Sequence, residues 1–216
     1  MADAYLKRKT GSETFKSNGD SLPICLSEFW QWSASDLVSN ATRGVLAEFV
    51  VASALGIEIK KDVRKEWGTF DLTTGSGVRV EVKSSGYVQT WKQKRLSRIC
   101  FSVRPSRAFD EQTNEYARDS IRQADVYIFA LLHHVDKATI DPLDLSQWSF
   151  YAVKTDVLNQ RLGSSKSISL KTLETMSAAV EYSSLGVCFN QIVDSQEATR
   201  DSSTESHASA AKAGGE

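Results

Sequence analysis

The stretch VRVEVKSSGY, residues 78–87, decides how the chain is read. Val78, Val80 and Val82 alternate with Arg79, Glu81 and Lys83, so an extended backbone puts three valines on one face and three charges on the other. Any half-buried strand shows that alternation. The polar face, however, carries a carboxylate and an ammonium two residues apart, with another acid, Asp71, shortly before them.

Working outward, GTFDLTT and VRVEVK flank Gly75-Ser76-Gly77 and predict a hairpin. With a three-residue loop, Thr74 faces Val78, Leu72 faces Val80, and Asp71 faces Glu81. Cross-strand partners point to the same side with Cβ atoms about 4.5–5.5 Å apart. Two opposed carboxylates repel in an ordinary sheet, and a divalent cation between them removes the penalty. Lys83 lies on the face of Glu81, where an ammonium can orient water and neutralise charge building on a phosphate. The ordinary alternative is a Glu–Lys pair on a solvated strand.

Glu48 is the only charged residue in GVLAEFVVASALG, residues 44–56. The segment predicts a helix from about Asn40, with Asn40 or Thr42 as N-cap, to near Gly56. Being apolar on nearly all sides, that helix is expected to be buried. A lone carboxylate in it costs several kcal/mol unless compensated, on the order of the penalty for any unpaired buried charge. Either it meets a buried arginine such as Arg43 or Arg64, or it borders the cleft of Asp71 and Glu81.

The rest reads as one α/β domain with a mixed sheet. IEIKKDV, RICFSVR, DVYIFALL and QWSFYAV are expected strands, DVYIFALL being central and covered on both faces. DEQTNEYARDSIRQA (110–124) and TDVLNQRL are expected helices, and Phe29, Trp30 and Trp32 are expected to anchor a short helix or cap. Residues 1–20 read as a flexible segment, 21–193 as the domain, and 194–216 as a disordered tail too polar to bury a core.

Composition narrows the function. The net charge of −1 argues against a protein that coats nucleic acid indiscriminately. Yet no acid falls between Glu81 and Asp110, while Lys83, Lys92, Lys94, Arg95, Arg98, Arg104 and Arg107 do, interleaved with Tyr87, Trp91 and Phe101. Such a segment can follow a phosphate backbone, though a solvated surface reads the same way. Cys25, Cys100 and Cys188 lack ligand-like spacing, Cys100 reading as a small core residue, and the longest unbroken apolar run is VYIFALL. A reducing cytoplasm is therefore expected, with no membrane span. His133 and His134 read as strand-end packing, and Asp141, Asp144 and Asp156 as turn or cap residues.

Glu48 on a helix, Asp71, then Glu81-Val82-Lys83 on a strand resemble the PD-(D/E)xK nuclease superfamily. LAEFVVASALG, FDLTTGSGVRVEVKSSGYVQTW and RQADVYIFALL followed by DPLDLSQWSFYAV resemble an uncharacterised bacterial branch of it. Phe70 stands where the motif has proline, and Tyr87, Gln89 and Gln93 do not match the glutamine and tyrosine spacing of the exonuclease members. The resemblance implies a restriction-endonuclease-like three-layer core, with a mixed central sheet flanked by helices. It further implies that Asp71, Glu81 and the Val82 carbonyl ligate Mg2+ (Mn2+ substituting), that Glu48 completes the site, and that Lys83 orients the attacking water. Ser84, Ser85, Tyr87, Gln89, Trp91, Lys92, Lys94 and Arg95 are the expected nucleic-acid contacts, packing being the alternative for the first five. The expected function is a Mg2+-dependent DNA endonuclease of the restriction or phage-defence kind, as a homodimer or a subunit of a larger defence complex. The alternative is a catalytically silent nucleic-acid-binding subunit with the same fold.

Overall fold

The computed structural model describes residues 7–60, 63–64, 68–110 and 113–194. It opens on a hairpin of β1 (Thr14–Ser17) and β2 (Asp20–Cys25), followed by α1 (Leu26–Ala34) and α2 (Asn40–Ala54). β3 (Leu72–Thr73) and β4 (Arg79–Gly86) form the expected hairpin. β5 (Cys100–Ser102), β6 (Phe109–Asp110) and β7 (Glu115–Tyr116) lie in the crossover to β8 (Val126–Leu132). β9 (Trp148–Lys154), α3 (Thr155–Leu162), β10 (Ser167–Ser169) and α4 (Leu170–Leu173) follow, and a last helix, α5, covers 182–194.

Four strands make the central sheet in the order β3-β4-β8-β9. The β3/β4 and β8/β9 pairs are antiparallel, while β4 and β8 run parallel, so the sheet is mixed as expected. Every residue of β8 is buried. Its even-numbered side chains, Val126, Ile128, Ala130 and Leu132, pack with Val80 and Val82 against Ala47, Val50 and Val51 of α2 and Leu185 and Phe189 of α5. Its odd-numbered ones, Tyr127, Phe129 and Leu131, pack on the opposite side with Tyr151, Val153, Phe101, Leu158 of α3 and Ile168 of β10. One strand thus supplies two cores through the twofold alternation of its side chains.

The three-residue loop forms as predicted. Thr74 receives the Val78 N–H, Gly77 adopts φ +85° and donates to Thr74, and Leu72 and Thr73 face Val80 and Arg79. A positive φ at the last loop position suits glycine, which has no Cβ to clash.

Several expectations are corrected. Residues 57–60 are not a strand: the Ile57 N–H is drawn back to the Ala52 carbonyl and that of Ile59 to Ile57, closing tight turns instead of a ladder. The remainder of that expected strand lies partly outside the described residues. The helix expected over 110–124 is absent among its described residues. There β6 and β7 pair, Asn114 turns at φ +55°, and Ser106 and Ile121 bridge, so backbone partners across the loop replace i→i−4 bonds. Within the segment read as flexible, Thr14–Ser17 pairs with β2 through Asn18-Gly19, both at positive φ, as a tight hairpin turn requires. Residues 1–6 and 195–216, including the expected tail, lie outside the described residues.

Phe29, Trp30 and Trp32 do not anchor α1 in a core; all three are exposed, Trp32 by 84%. Cys100 is exposed on β5 because its neighbours Ile99 and Phe101 take the inward side. α2 is N-capped by Ser39, not Asn40 or Thr42, and Val45 and Phe49 are exposed, so it buries one face only. Among the described residues no helix is long and apolar enough to cross a membrane.

α5 is pressed onto the end of α2 at Gly186, where an added Cβ would come within 2.7 Å of the Ala54 carbonyl oxygen. Gly186→Ala should therefore destabilise the fold, although the same change inside an unconstrained helix stabilises by about 1 kcal/mol. Ile128→Ala should cost about 2–5 kcal/mol, the range for emptying a packed core position. Urea denaturation of both variants checks the two signs.

Candidate active site

The site is assembled on the open side of β4, where β3 stops. Glu81 and Lys83 project from the face opposite Val80 and Val82, and the parallel register places Glu81 beside Tyr127 and Lys83 beside Phe129. Lys83 Nζ lies 2.5 Å from Glu81 Oε1. Asp71 stands one residue before β3, and its backbone N–H goes to the Val80 carbonyl at 3.1 Å. The ladder therefore slips by one at this point, and Asp71 is not squared against Glu81 as the regular register required. Its carboxylate reaches past and accepts the Val82 N–H at 2.7 Å through Oδ2. Since a strand residue directs its N–H and carbonyl to the same edge, the Val82 carbonyl also faces the side held by Asp71.

Burial and the negative charge of Glu81 raise the Asp71 carboxyl from 3.8 to about 6. The Val82 N–H opposes that rise, Glu48 adds to it, and Lys83 counters it. The other three residues singled out in the sequence, Glu81, Glu48 and Lys83, therefore all act on the half-buried Asp71 carboxyl.

Glu48 meets one of the two arginines that the sequence offered. Its carboxylate is gripped bidentately by Arg64, Nε donating to Oε2 at 2.5 Å and Nη2 to Oε1 at 2.7 Å. Glu48 is thus paired with Arg64, one of the two arginines expected, though that arginine is exposed and not buried, and Glu48 still adds its field to Asp71. The other candidate, Arg43, donates instead to the Val38 carbonyl and the Asn40 side chain. Among the described residues no group of three or more His, Cys, Asp or Glu side chains is poised around one metal position. The carboxylates at hand are the pair Asp71 and Glu81, and two carboxylates with a carbonyl, waters and substrate phosphate are what Mg2+ accepts. The donor set fits that ion.

The residues after Lys83 divide into two groups. Ser84, Ser85 and Tyr87 are half-buried, and Gln89 is turned inward at 6% exposure, its Nε2 donating to the Gly86 carbonyl at 3.0 Å. Gln89 thus fastens the backbone, the packing role that was the alternative for it. Trp91, Lys92, Lys94 and Arg95 are exposed. His133 follows β8 and meets Ser149, His134 meets Thr139, and Asp144 caps the 3-10 turn Leu145–Gln147, as their structural readings anticipated.

Tyr127, not among the expected site residues, stands beside Glu81. Its phenol is pushed above its ordinary range by burial first, then by Glu81 and Asp71, with Arg122 opposing. The signal was present in VYIFALL, where Tyr127 is the one polar-tipped residue, but only the parallel register sets it next to Glu81.

An acid-pair-and-lysine cluster at the edge of a mixed sheet now has a family to set beside it. The family model described as bacteriophage T4 endonuclease IV matches residues 13–172. The chain belongs to this endonuclease family. The match includes the whole cluster, from Glu48 to Lys83, together with β8, β9 and α3. A comparison with curated proteins finds no match.

Because Asp71 holds its proton more tightly folded than unfolded, it destabilises the metal-free fold as it ionises. That contribution is absent below about pH 4, grows through the window up to about 6, and is complete above it. Asp71→Asn should consequently gain stability over the parent protein, on the order of 1–3 kcal/mol, as pH rises from 4 to 7. Paired urea melts in chelator across that range measure the difference.

Proposed function

We propose that the chain is a Mg2+-dependent DNA endonuclease with a PD-(D/E)xK-type site, acting in restriction or phage defence. The observation that carries this reading is the half-buried Asp71 carboxyl, which feels Glu81, Glu48 and Lys83 together in a chain of an endonuclease family. A half-buried cluster with more acid than base has little structural purpose, since it costs stability at neutral pH. Asp71, Glu81 and the Val82 carbonyl would hold the ion, which when bound supplies charge stabilisation and an acidified water.

The chain's own residues do the positioning. The Val82 N–H fixes one oxygen of Asp71 and leaves the other free to act as a ligand. Lys83, on the same face as Glu81, orients water and offsets negative charge developing on the scissile phosphate. Arg64 holds Glu48 in place, so that Glu48 shapes the field of the site through Asp71 rather than by direct ligation. Tyr127 stands beside Glu81 on the neighbouring strand and raises the other wall of the site.

A second reading, a silent nucleic-acid-binding subunit, draws on one specific observation: Glu81 and Glu48 are each already neutralised by a cation, Lys83 and Arg64. The two readings part in a cleavage assay. With Mg2+ or Mn2+ the purified protein should nick or cut plasmid or oligonucleotide DNA, chelator should stop it, and Asp71→Ala or Lys83→Ala should lower the rate at least about 100-fold, as loss of a preorganised charge does. Cleavage that persists in chelator or in both variants removes the endonuclease proposal. Binding linkage gives an independent measure: Mg2+ at millimolar concentration should raise the melting temperature, and Glu81→Ala should abolish the rise.

A further inference from the structure

The loop over 87–98 begins where β4 ends, and it is fastened by groups other than its own cations. Gln93 Oε1 accepts the Gln89 N–H at 2.7 Å, and Gln93 Nε2 donates to the Tyr87 carbonyl at 3.1 Å and to Ser97 Oγ at 3.0 Å. From the far side of the molecule's sequence, Lys137 Nζ donates to three successive carbonyls, those of Gln89, Thr90 and Trp91, at 2.8, 2.9 and 2.9 Å. Three carbonyl dipoles aimed at one ammonium make a strong local clamp, because each bond is charge-assisted.

This fastening leaves Lys92, Lys94, Arg95 and Arg98 exposed, and among the described residues none of the four is in an ion pair. Four like charges within seven residues repel one another, and the loop holds them together without an acid of its own. Lys92, Lys94 and Arg95 line two adjoining open hollows of about 600 and 620 Å³, the first bordered also by Val88 and Val135 and the second by Arg98. From Lys83 to the start of the loop is four residues of strand, roughly 13 Å at the usual rise. That span equals about four steps of a DNA strand at 3.4 Å per step.

We propose that loop 87–98 is a grip for the phosphodiester backbone of the DNA, with Lys92, Lys94, Arg95 and Arg98 as the contacts and Lys137 as the positioning residue that sets their spacing. The proposal rests on the endonuclease reading for its ligand and says how that ligand is held. A cationic loop shaped from outside presents its charges at fixed separations, which suits a polyanion of regular repeat better than a single small anion. Lys137 touches no phosphate in this scheme; it acts through the loop.

The test is binding, read in chelator so that it does not depend on whether the protein cleaves. Fluorescence anisotropy of labelled single- and double-stranded oligonucleotides from 50 to 200 mM salt gives both Kd and its salt dependence. Lys92→Ala/Lys94→Ala/Arg95→Ala should raise Kd at least tenfold at the low end and flatten the log–log slope by about 2–3, one charge's worth for each contact removed. Lys137→Met should shift Kd and slope in the same direction, and Lys137→Arg, which keeps a cationic donor, should restore both. A wild-type Kd and slope in the triple variant overturn the grip. A wild-type slope in Lys137→Met, even with a lowered melting temperature, overturns the positioning role. Loss of binding in the triple variant from a parent protein that never cleaves DNA would sustain the grip while removing the nuclease.

Discussion

The structure depends on the parallel pairing of β4 with β8. Seven residue pairs, Val80–Val126 through Gly86–Leu132, join two strands that are 46 residues apart in the chain. The ladder is secured at its entrance by Asp125 and Arg79: the Asp125 N–H bonds the Arg79 carbonyl, and its carboxylate takes the Arg79 N–H and guanidinium. A one-residue slip here would exchange the two faces of β4, sending Glu81 and Lys83 into the core under α2 and the valines outward. Register and chemistry are therefore the same constraint in this molecule.

On the polar face the ladder gathers charge that the fold must compensate. Lys83 answers Glu81 and Arg64 answers Glu48, which leaves Asp71 with a single backbone N–H and a proton affinity raised to about 6. An acid so placed is a weak point for stability above that pH, and in the proposed function a cation would remove the repulsion that the protein alone does not. The slip at Asp71 belongs to the same logic: by stepping out of the ladder, its side chain reaches the Val82 N–H.

Much of this was legible in residues 71–87. Alternation identified the buried face of β4, and Gly75-Ser76-Gly77 identified the hairpin loop, because both are local properties of backbone and side-chain period. DVYIFALL was legible as the central strand for the same reason, being too short for a helix of its hydrophobicity and apolar on both sides. The failures were of another kind. Residues 110–124 carry helix formers but no apolar stripe, and pairing across the loop won. Asn18-Gly19 was a hairpin signal within a polar stretch, outweighed there by composition.

By itself, then, the sequence determined which residues of β4 face outward, where its hairpin turns, and that acids and a lysine share that face, since period-two geometry and turn chemistry act over a few residues. Tertiary structure alone decided that Arg64 and not Arg43 holds Glu48, that Tyr127 lies beside Glu81, and that Lys137 braces a loop 46 to 48 residues away. Each of those contacts joins segments whose approach depends on parallel strand pairing and on loop paths. No local pattern encodes such approaches, because their energies appear only when the distant partner arrives.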